Sequence, residues 1–319
     1  MDKYDVYEKY LDFDDEYDAT GQPIRHGRKR PATKVRKTNK PVMTDLTDFV
    51  DDTMAWIPSY AAHLDPQHHE RQWLIESLAS FYNDNLLTDV TRRVKGGKEA
   101  NVYCCTAHPA TGMDLIAAKL YRPRILRTLK NDAVYKAGRQ LRGEDGKQLK
   151  GRREKLALLQ KTRFGQHLDM VWWIGNEYAV QSKLYDAGAD VPQPIGHNGN
   201  TILMEYIGDG WLPAPPLSDV TLAPDEATGL FGKVLDNVRI MLDNHYVHGD
   251  LSAFNILYWE GNISIIDFPQ VVNARTNPHA QVLLQRDVKR VCDYFARFGV
   301  KSNPALIMRE LWEPYMGSL

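Results

Sequence analysis

Cysteine is scarce in this chain: three residues in 319, two of them adjacent at Cys104 and Cys105, with no paired spacing that would build a disulfide framework or a zinc site. That excludes a small disulfide-stapled scaffold and predicts a reducing compartment, the cytoplasm. Long apolar runs are missing too. Nothing approaches the roughly 20 apolar residues a membrane helix needs, and no basic start followed by an apolar segment opens the chain, so neither export nor a membrane partner is expected. Net charge is almost absent, at −1 from 40 Lys+Arg and 41 Asp+Glu, and no internal repeat is visible. What is present is 43% hydrophobic content, enough for a real core in one large or two modest domains.

The neutral total conceals an uneven distribution. The first twenty residues are rich in Asp, Glu and Tyr, whereas Arg25–Lys40 carries eight Lys/Arg and no acid. This stretch has too few large apolar side chains to offset its ordering entropy, so residues 1–45 read as a disordered acidic and basic tail. Its basic half, 25–40, suits either solvation or contact with nucleic-acid phosphates. Residues 46–88 read as a helical N-terminal extension, with Trp73, Leu74, Leu78 and Phe81 at helical spacing. From Asp89 the pattern alternates: Asp89–Lys95 and Ala100–Ala107 form a hairpin about Gly96-Gly97, and Leu115–Tyr121 supplies a third strand. A basic insertion, 122–166, has fourteen Lys/Arg against four Asp/Glu and is expected to be flexible. A helix follows from about Asp169 to Ala187, stopped by Gly188, with Glu177 on an otherwise apolar stripe. Short strands near Ile195 and Thr201–Tyr206 precede helices over Asp225–Asn244, Ala280–Phe298 and after Pro304. The reading is α+β and two-lobed: a small β-rich lobe over 89–206 and a mostly helical lobe over 209–319, with a cleft between.

The stretch His248-Gly249-Asp250-Leu251-Ser252-Ala253-Phe254-Asn255, followed by Ile265-Ile266-Asp267-Phe268, places an Asn five residues after Asp250 and an Asp twelve beyond that. Phosphoryl transfer needs this set. One carboxylate, Asp250, orients or deprotonates the accepting hydroxyl, while the Asn255 amide oxygen and the Asp267 carboxylate hold magnesium against phosphate oxygens. Asp residues also cap helices and turns, and it is the ordered spacing of three that favours chemistry. Lys119 lies inside an apolar strand, where an unpaired ammonium would be costly. Glu177 has the complementary problem, so an ion pair between them, with Lys119 also reaching the α and β phosphates of ATP, resolves both. Gly97 and Lys98, at the hairpin turn, bring backbone amides and charge toward phosphate, although Gly-Gly-Lys lacks the Walker spacing and by itself is an ordinary turn. In a kinase geometry the Glu205 carbonyl and the Ile207 amide meet the adenine edge, with Met204 behind the ring.

Together, Gly97–Tyr103, His248–Ser252 with Asn255, and Ile266–Gln270 resemble the RIO-type atypical protein kinases over roughly Asp89–Phe298. The resemblance implies a trimmed kinase fold without activation segment or peptide-docking helices. It implies a serine/threonine protein kinase that uses ATP and magnesium, or manganese, on a protein acceptor or on itself. It further implies that Asp267 can accept the phosphoryl group as an aspartyl-phosphate in an ATPase-like cycle. Ribosomal-precursor or RNA partners follow from the family, through 122–166 and 25–40. Two other readings compete. A small-molecule phosphotransferase of the aminoglycoside or choline type shares the His-Gly-Asp and Ile-Asp-Phe elements but would want an acidic pocket for a cationic acceptor. An ATP-gated RNA- or ribosome-binding scaffold would bind the nucleotide tightly and turn it over slowly.

Overall fold

Apolar residues such as Leu87, Val90, Tyr103, Cys104, Cys105, Ile116 and Ala118 are buried along the first three strands, and their burial sets the first sheet. Strands β1 (Leu87–Gly96) and β2 (Ala100–Ala107) pair antiparallel, from Leu87 opposite Ala107 to Gly96 opposite Asn101. Three register shifts interrupt the pair, and such irregularities bend and twist a hairpin over whatever lies beneath it. After a left-handed turn at Gly112, β3 (Leu115–Tyr121) runs back along β2. Strands β4 (Pro194–His197) and β5 (Thr201–Glu205) complete a five-stranded antiparallel sheet in the order β1-β2-β3-β5-β4. β3 lies at its centre, buried at Ile116, Ala117, Ala118 and Leu120.

The computed structural model describes residues 56–65, 68–97, 99–122 and 163–317. The tail read as disordered and most of the basic insertion lie outside these residues. Pro58–Leu319 form one compact unit. Two helices, α1 (Ser59–Ala62) and α2 (His69–Asn83), belong to that unit. Ser59 N donates to Asp89 Oδ1 at 2.6 Å, and the buried Tyr103 hydroxyl donates to Glu70 Oε1 at 2.7 Å, so the helical residues before 89 are tied to β1 and β2. Asn85, at φ 56°, takes the left-handed turn that carries α2 into β1, and Leu87 is already strand rather than helix exit.

Helix α3 (Arg163–Asp186) begins six residues earlier than the apolar periodicity suggests and takes in the end of the basic insertion. It stops where Gly188 adopts φ 82°. The second lobe is built from α4 (Pro224–Asp243), α5 (Ala280–Ala296) and α6 (Pro304–Gly317). Leu230, Val234 and Val238 of α4 pack with Leu284, Val288, Val291 and Phe295 of α5 in a core that also takes Val180 and Leu184 from α3. Two small β pairs rest on that core: β6 (Tyr246–Val247) with β9 (Val272–Asn273), and the hairpin β7 (Ile256–Trp259)–β8 (Asn262–Ile265). Between Asp267 and Ala280 the chain makes only β9 and turns. No helix of the described residues is long and apolar enough to cross a membrane.

Candidate active site

β6 delivers His248 into the core, where it is 2% exposed, lies against the Phe268 ring, and has Nε2 3.2 Å from the Ile266 carbonyl. Burial depresses its pKa, so the imidazole stays neutral and serves as a spacer between the two polar strand ends. Gly249 then turns at φ 78° and presents Asp250. A single 3₁₀ turn, Ala253–Asn255, brings Asn255 back under Asp250, and its Nδ2 donates to the Asp250 carbonyl at 2.9 Å. With the amide nitrogen committed there, the amide oxygen is left as the acceptor end of the group. Ile266 N donates to the Asn255 carbonyl at 3.0 Å, which couples this loop to the segment that ends in Asp267. Asp267 sits at φ 73°, a left-handed conformation that costs a non-glycine residue on the order of 1 kcal/mol and is kept where surrounding structure insists on it.

From the sheet, Lys119 of β3 points at two carboxylates. Its Nζ lies 2.8 Å from Glu177 Oε1 and 2.6 Å from Asp267 Oδ1. Glu177 is buried on α3, and its second oxygen accepts a short hydrogen bond from the Tyr121 hydroxyl. Burial pushes the Glu177 carboxyl up despite the lysine. Burial would also raise Asp267, but the Lys119 charge outweighs it and holds that carboxyl below its usual value. Burial alone would lower the Lys119 ammonium, yet Asp267 and Glu177 together keep it well above the usual lysine range. The site therefore holds a cation between one carboxylate that ionises easily and one that does not. Trp173 Nε1, also on α3, donates to the Pro269 carbonyl at 3.1 Å, and its ring meets Tyr121 edge-on at 5.1 Å. Helix, strand and the segment after Asp267 are thereby locked to one another.

The remaining candidates line the rest of the cleft. Gly97 N closes the β1–β2 turn on the Ala100 carbonyl at 3.0 Å, while Lys98 lies outside the described residues. Glu99, two residues after Gly97, has its carboxyl raised by burial and by the negative charge of Asp267. Where the lobes join, Met204 packs with Cys104, Ala117 and Tyr206, and Glu205 exchanges hydrogen bonds with Gln193 through its N–H, 2.8 Å, and Oε2, 3.1 Å. The Ile207 carbonyl accepts from Ala214 N at 2.9 Å. Gly208 permits this reversal, since at φ 137° a Cβ would sit 2.4 Å from the Leu212 carbonyl oxygen.

Among the described residues no three His, Cys, Asp or Glu side chains gather as a metal cage. The donors on offer are the Asn255 amide oxygen and the Asp267 carboxylate, 39% exposed, on segments joined by the Ile266 N to Asn255 carbonyl bond. That donor set fits magnesium, which keeps waters and phosphate oxygens as its other ligands.

Three residues of α5 complete the site and were not singled out from sequence. Asp287, 1% exposed, accepts from Gly249 N at 2.8 Å and pins the turn ahead of Asp250. Burial drives its carboxyl up to about 7. Arg286 donates a short hydrogen bond to the Gly249 carbonyl. Arg290 Nη1 lies 2.7 Å from Asp250 Oδ1. So Asp250 is held by a guanidinium, while Asp267 is held by the lysine. Asp287 carried the same signal as Glu177, a carboxylate within an apolar helical stripe, between Leu284 and Val291.

Comparison with known proteins agrees with this geometry. A family model described as the RIO domain matches residues 102–306. A Caenorhabditis elegans protein named serine/threonine-protein kinase RIO1 is 33% identical over 71% of this chain and 40% of its own length. The human protein of that name is 34% identical over 72% of this chain and 36% of its own. The chain thus spans about two fifths of the length of these relatives. Among solved structures, the Rio2 kinase–ADP/Mg2+–phosphoaspartate complex from Chaetomium thermophilum covers 76% of this chain and 66% of its own, at 22% identity and a TM-score of 0.53. That likeness establishes a two-lobed kinase-like α+β fold.

Proposed function

The chain belongs to the RIO domain family, and from that premise we propose that it is an ATP- and magnesium-dependent protein serine/threonine kinase. The observation that carries the reading is Lys119 bridging the buried Glu177 and the strained Asp267, an arrangement with no structural necessity in a β-sheet centre. An ammonium has three N–H donors, and Glu177 and Asp267 account for two of them, which leaves one to aim at phosphate. Gly97 brings backbone close to the phosphates. Met204, Glu205 and Ile207 frame the adenine. Magnesium, held by the Asn255 amide oxygen and by Asp267, supplies neutralisation of the phosphate charge. Asp250 takes the proton of the acceptor hydroxyl. In a second use of the same groups Asp267 attacks the γ-phosphorus itself, the bond from that phosphorus to the bridging oxygen breaks and ADP leaves, a competent role for a carboxylate kept ionised by Lys119. The Chaetomium thermophilum Rio2 kinase was solved as a phosphoaspartate complex with ADP/Mg2+, which supports this second use.

The three cysteines are free and buried, which supports a reducing, cytoplasmic setting. An RNA or ribosomal-precursor partner is proposed from the basic runs 25–40 and 122–166. The small-molecule alternative is disfavoured by Arg290, on Asp250, and Arg286, on the neighbouring Gly249 carbonyl, two guanidiniums where a cationic acceptor would need carboxylates.

The test is incubation of the protein with magnesium and γ-labelled ATP, followed by hydroxylamine, for wild type and Asp267→Asn. Hydroxylamine-labile label that disappears in the variant supports the aspartyl-phosphate cycle and the ATP-gated scaffold it would drive. Stable label on serine or threonine supports protein phosphorylation. No protein-bound label of either kind sinks the proposal and returns weight to a small-molecule acceptor.

A further inference from the structure

The ion pair on the proposed base is unexpected in its chemistry. Asp250 and Arg290 are both substantially exposed, at 36% and 41% of the side chain, and a pair of that exposure adds little to stability. It is not needed to hold the loop, because Asp287 and Arg286 grip Gly249 from both sides and the Asn255 amide grips the Asp250 carbonyl. For a carboxylate that must receive an incoming hydroxyl, a guanidinium 2.7 Å away is a handicap, since it occupies an oxygen that the hydroxyl would use. The handicap is removed if the incoming acceptor supplies its own anion and draws the arginine onto itself.

We propose that Arg290 is a specificity-determining residue that selects a peptide acceptor carrying a carboxylate beside its hydroxyl, and that this carboxylate displaces Arg290 from Asp250. The proposal rests on the kinase reading above. In the step itself the acceptor oxygen forms a bond to the γ-phosphorus, the bond from that phosphorus to the bridging oxygen of ADP breaks, and the hydroxyl proton passes to Asp250. Arg290 is suited to the exchange. Its fork can take a peptide carboxylate bidentately where it holds Asp250 through Nη1, so the swap replaces one charge-assisted contact with another. Arg286 stands one helical turn away at 37% exposure and adds positive potential, while on the outer side of α5 Lys289 is committed to Asp293 at 2.6 Å. Phe254, 67% exposed on the same loop, offers apolar surface for the peptide's neighbouring side chain. A polynucleotide would call for a run of cations following its backbone. Two guanidiniums close to one acceptor point suit a short acidic peptide.

The experiment compares two serine peptides that differ only in flanking residues, aspartates in one and asparagines in the other, as substrates of the full chain with ATP and magnesium. Wild type is expected to favour the aspartate peptide in kcat/KM by about tenfold, the ratio that one displaced charge-assisted contact is worth. Arg290→Gln brings the ratio close to one, Arg290→Lys leaves it intermediate, and Arg290→Glu favours a lysine-flanked peptide instead. Thermal melting of each variant shows whether the fold is kept. Phosphorylation of both peptides with a ratio near one in wild type, or with a ratio untouched by Arg290→Gln, overturns the proposal and leaves the kinase reading standing. Arg290-dependent inhibition by single-stranded RNA without peptide discrimination overturns it in favour of a nucleic acid. Absence of transfer to either peptide and to the chain itself fails the kinase reading, and this proposal with it.

Discussion

Replacing Lys119 by methionine removes the cation from two carboxylates that differ in burial, and the difference predicts how the damage divides. Glu177, with 2% of its side chain exposed, is left with only the Tyr121 hydroxyl. Asp267, at 39%, can turn to water. Breaking a buried pair by removing one partner costs about 3 kcal/mol, and nearly all of it should fall on Glu177. In a unit of this size that lowers Tm by roughly 6–10 °C.

The pH dependence has a definite sign. Without Lys119 the folded-state pKa of Glu177 rises further above the ordinary 4.5, so the folded state binds the proton more tightly than the unfolded chain. Stability of Lys119→Met relative to wild type is therefore best in acid and falls as pH rises through that raised value. Urea unfolding followed by tryptophan fluorescence at pH 5 and pH 8, with Trp173 against Tyr121 as a local reporter, measures it. Adding Glu177→Gln to Lys119→Met should restore about 2 kcal/mol at pH 8, whereas adding Asp267→Asn should restore little. A loss equal at both pH values, or equal rescue by the two second substitutions, would refute the reasoning.

Gly208→Ala should destabilise the lobe junction by about 2–3 kcal/mol, because the new Cβ meets the Leu212 carbonyl at 2.4 Å on backbone at φ 137°; denaturant unfolding checks it. Asp287 has its carboxyl at about 7 in the fold, so its ionisation costs stability progressively as pH rises from its ordinary 3.8 through 7. Asp287→Asn should therefore gain on wild type between pH 5 and pH 8, by at most roughly 3 kcal/mol, and parallel pH slopes for the two would contradict this. Trp173→Phe keeps a ring against Tyr121 but removes the Nε1–H bond to the Pro269 carbonyl, for a loss of about 1 kcal/mol and slower ATP turnover, read by melting and by phosphate release.

Much of the architecture was legible because its periodicities are strong and local. The β1–β2 hairpin, β3 and the helices α4 and α5 lie within a few residues of where alternation and helical spacing put them. The start of α3 at Arg163 was not legible, since dense Lys/Arg over 122–166 mask any apolar stripe there. Asp250, Asn255 and Asp267 stand out because they are close in sequence. Lys119 and Glu177 stand out because each is a charge on an apolar pattern, and such a charge must find a partner. Tyr121, two residues after Lys119 on the same strand face, could have been added by that argument. Arg290 could not. It lies on an outward face, where a charge needs no explanation, and its partner is forty residues upstream. The left-handed backbone of Asp267 carries no composition signal at all, because nothing about an aspartate before a phenylalanine requires a positive φ.

That backbone bears on which of the two proposed uses of the site prevails. Asp267 has two carboxylate oxygens, and Lys119 takes Oδ1 at 2.6 Å. The other oxygen is left to attack phosphorus, the bond from that phosphorus to the bridging oxygen of ADP breaking as it does, while Asn255 and Asp267 would hold the magnesium that neutralises the phosphate charge. The strained φ counts for the attack, because a carboxylate fixed by its backbone presents an oxygen without rotamer search. Asp250 decides the alternative: while Arg290 holds it, no acceptor hydroxyl finds a free base, and the phosphoryl group has only Asp267 or water to go to. Transfer to a protein and hydrolysis through Asp267 are then set by one exchange, the departure of Arg290 from Asp250. A variant that loosens that pair should shift the ratio of stable to hydroxylamine-labile label without changing how tightly ATP binds.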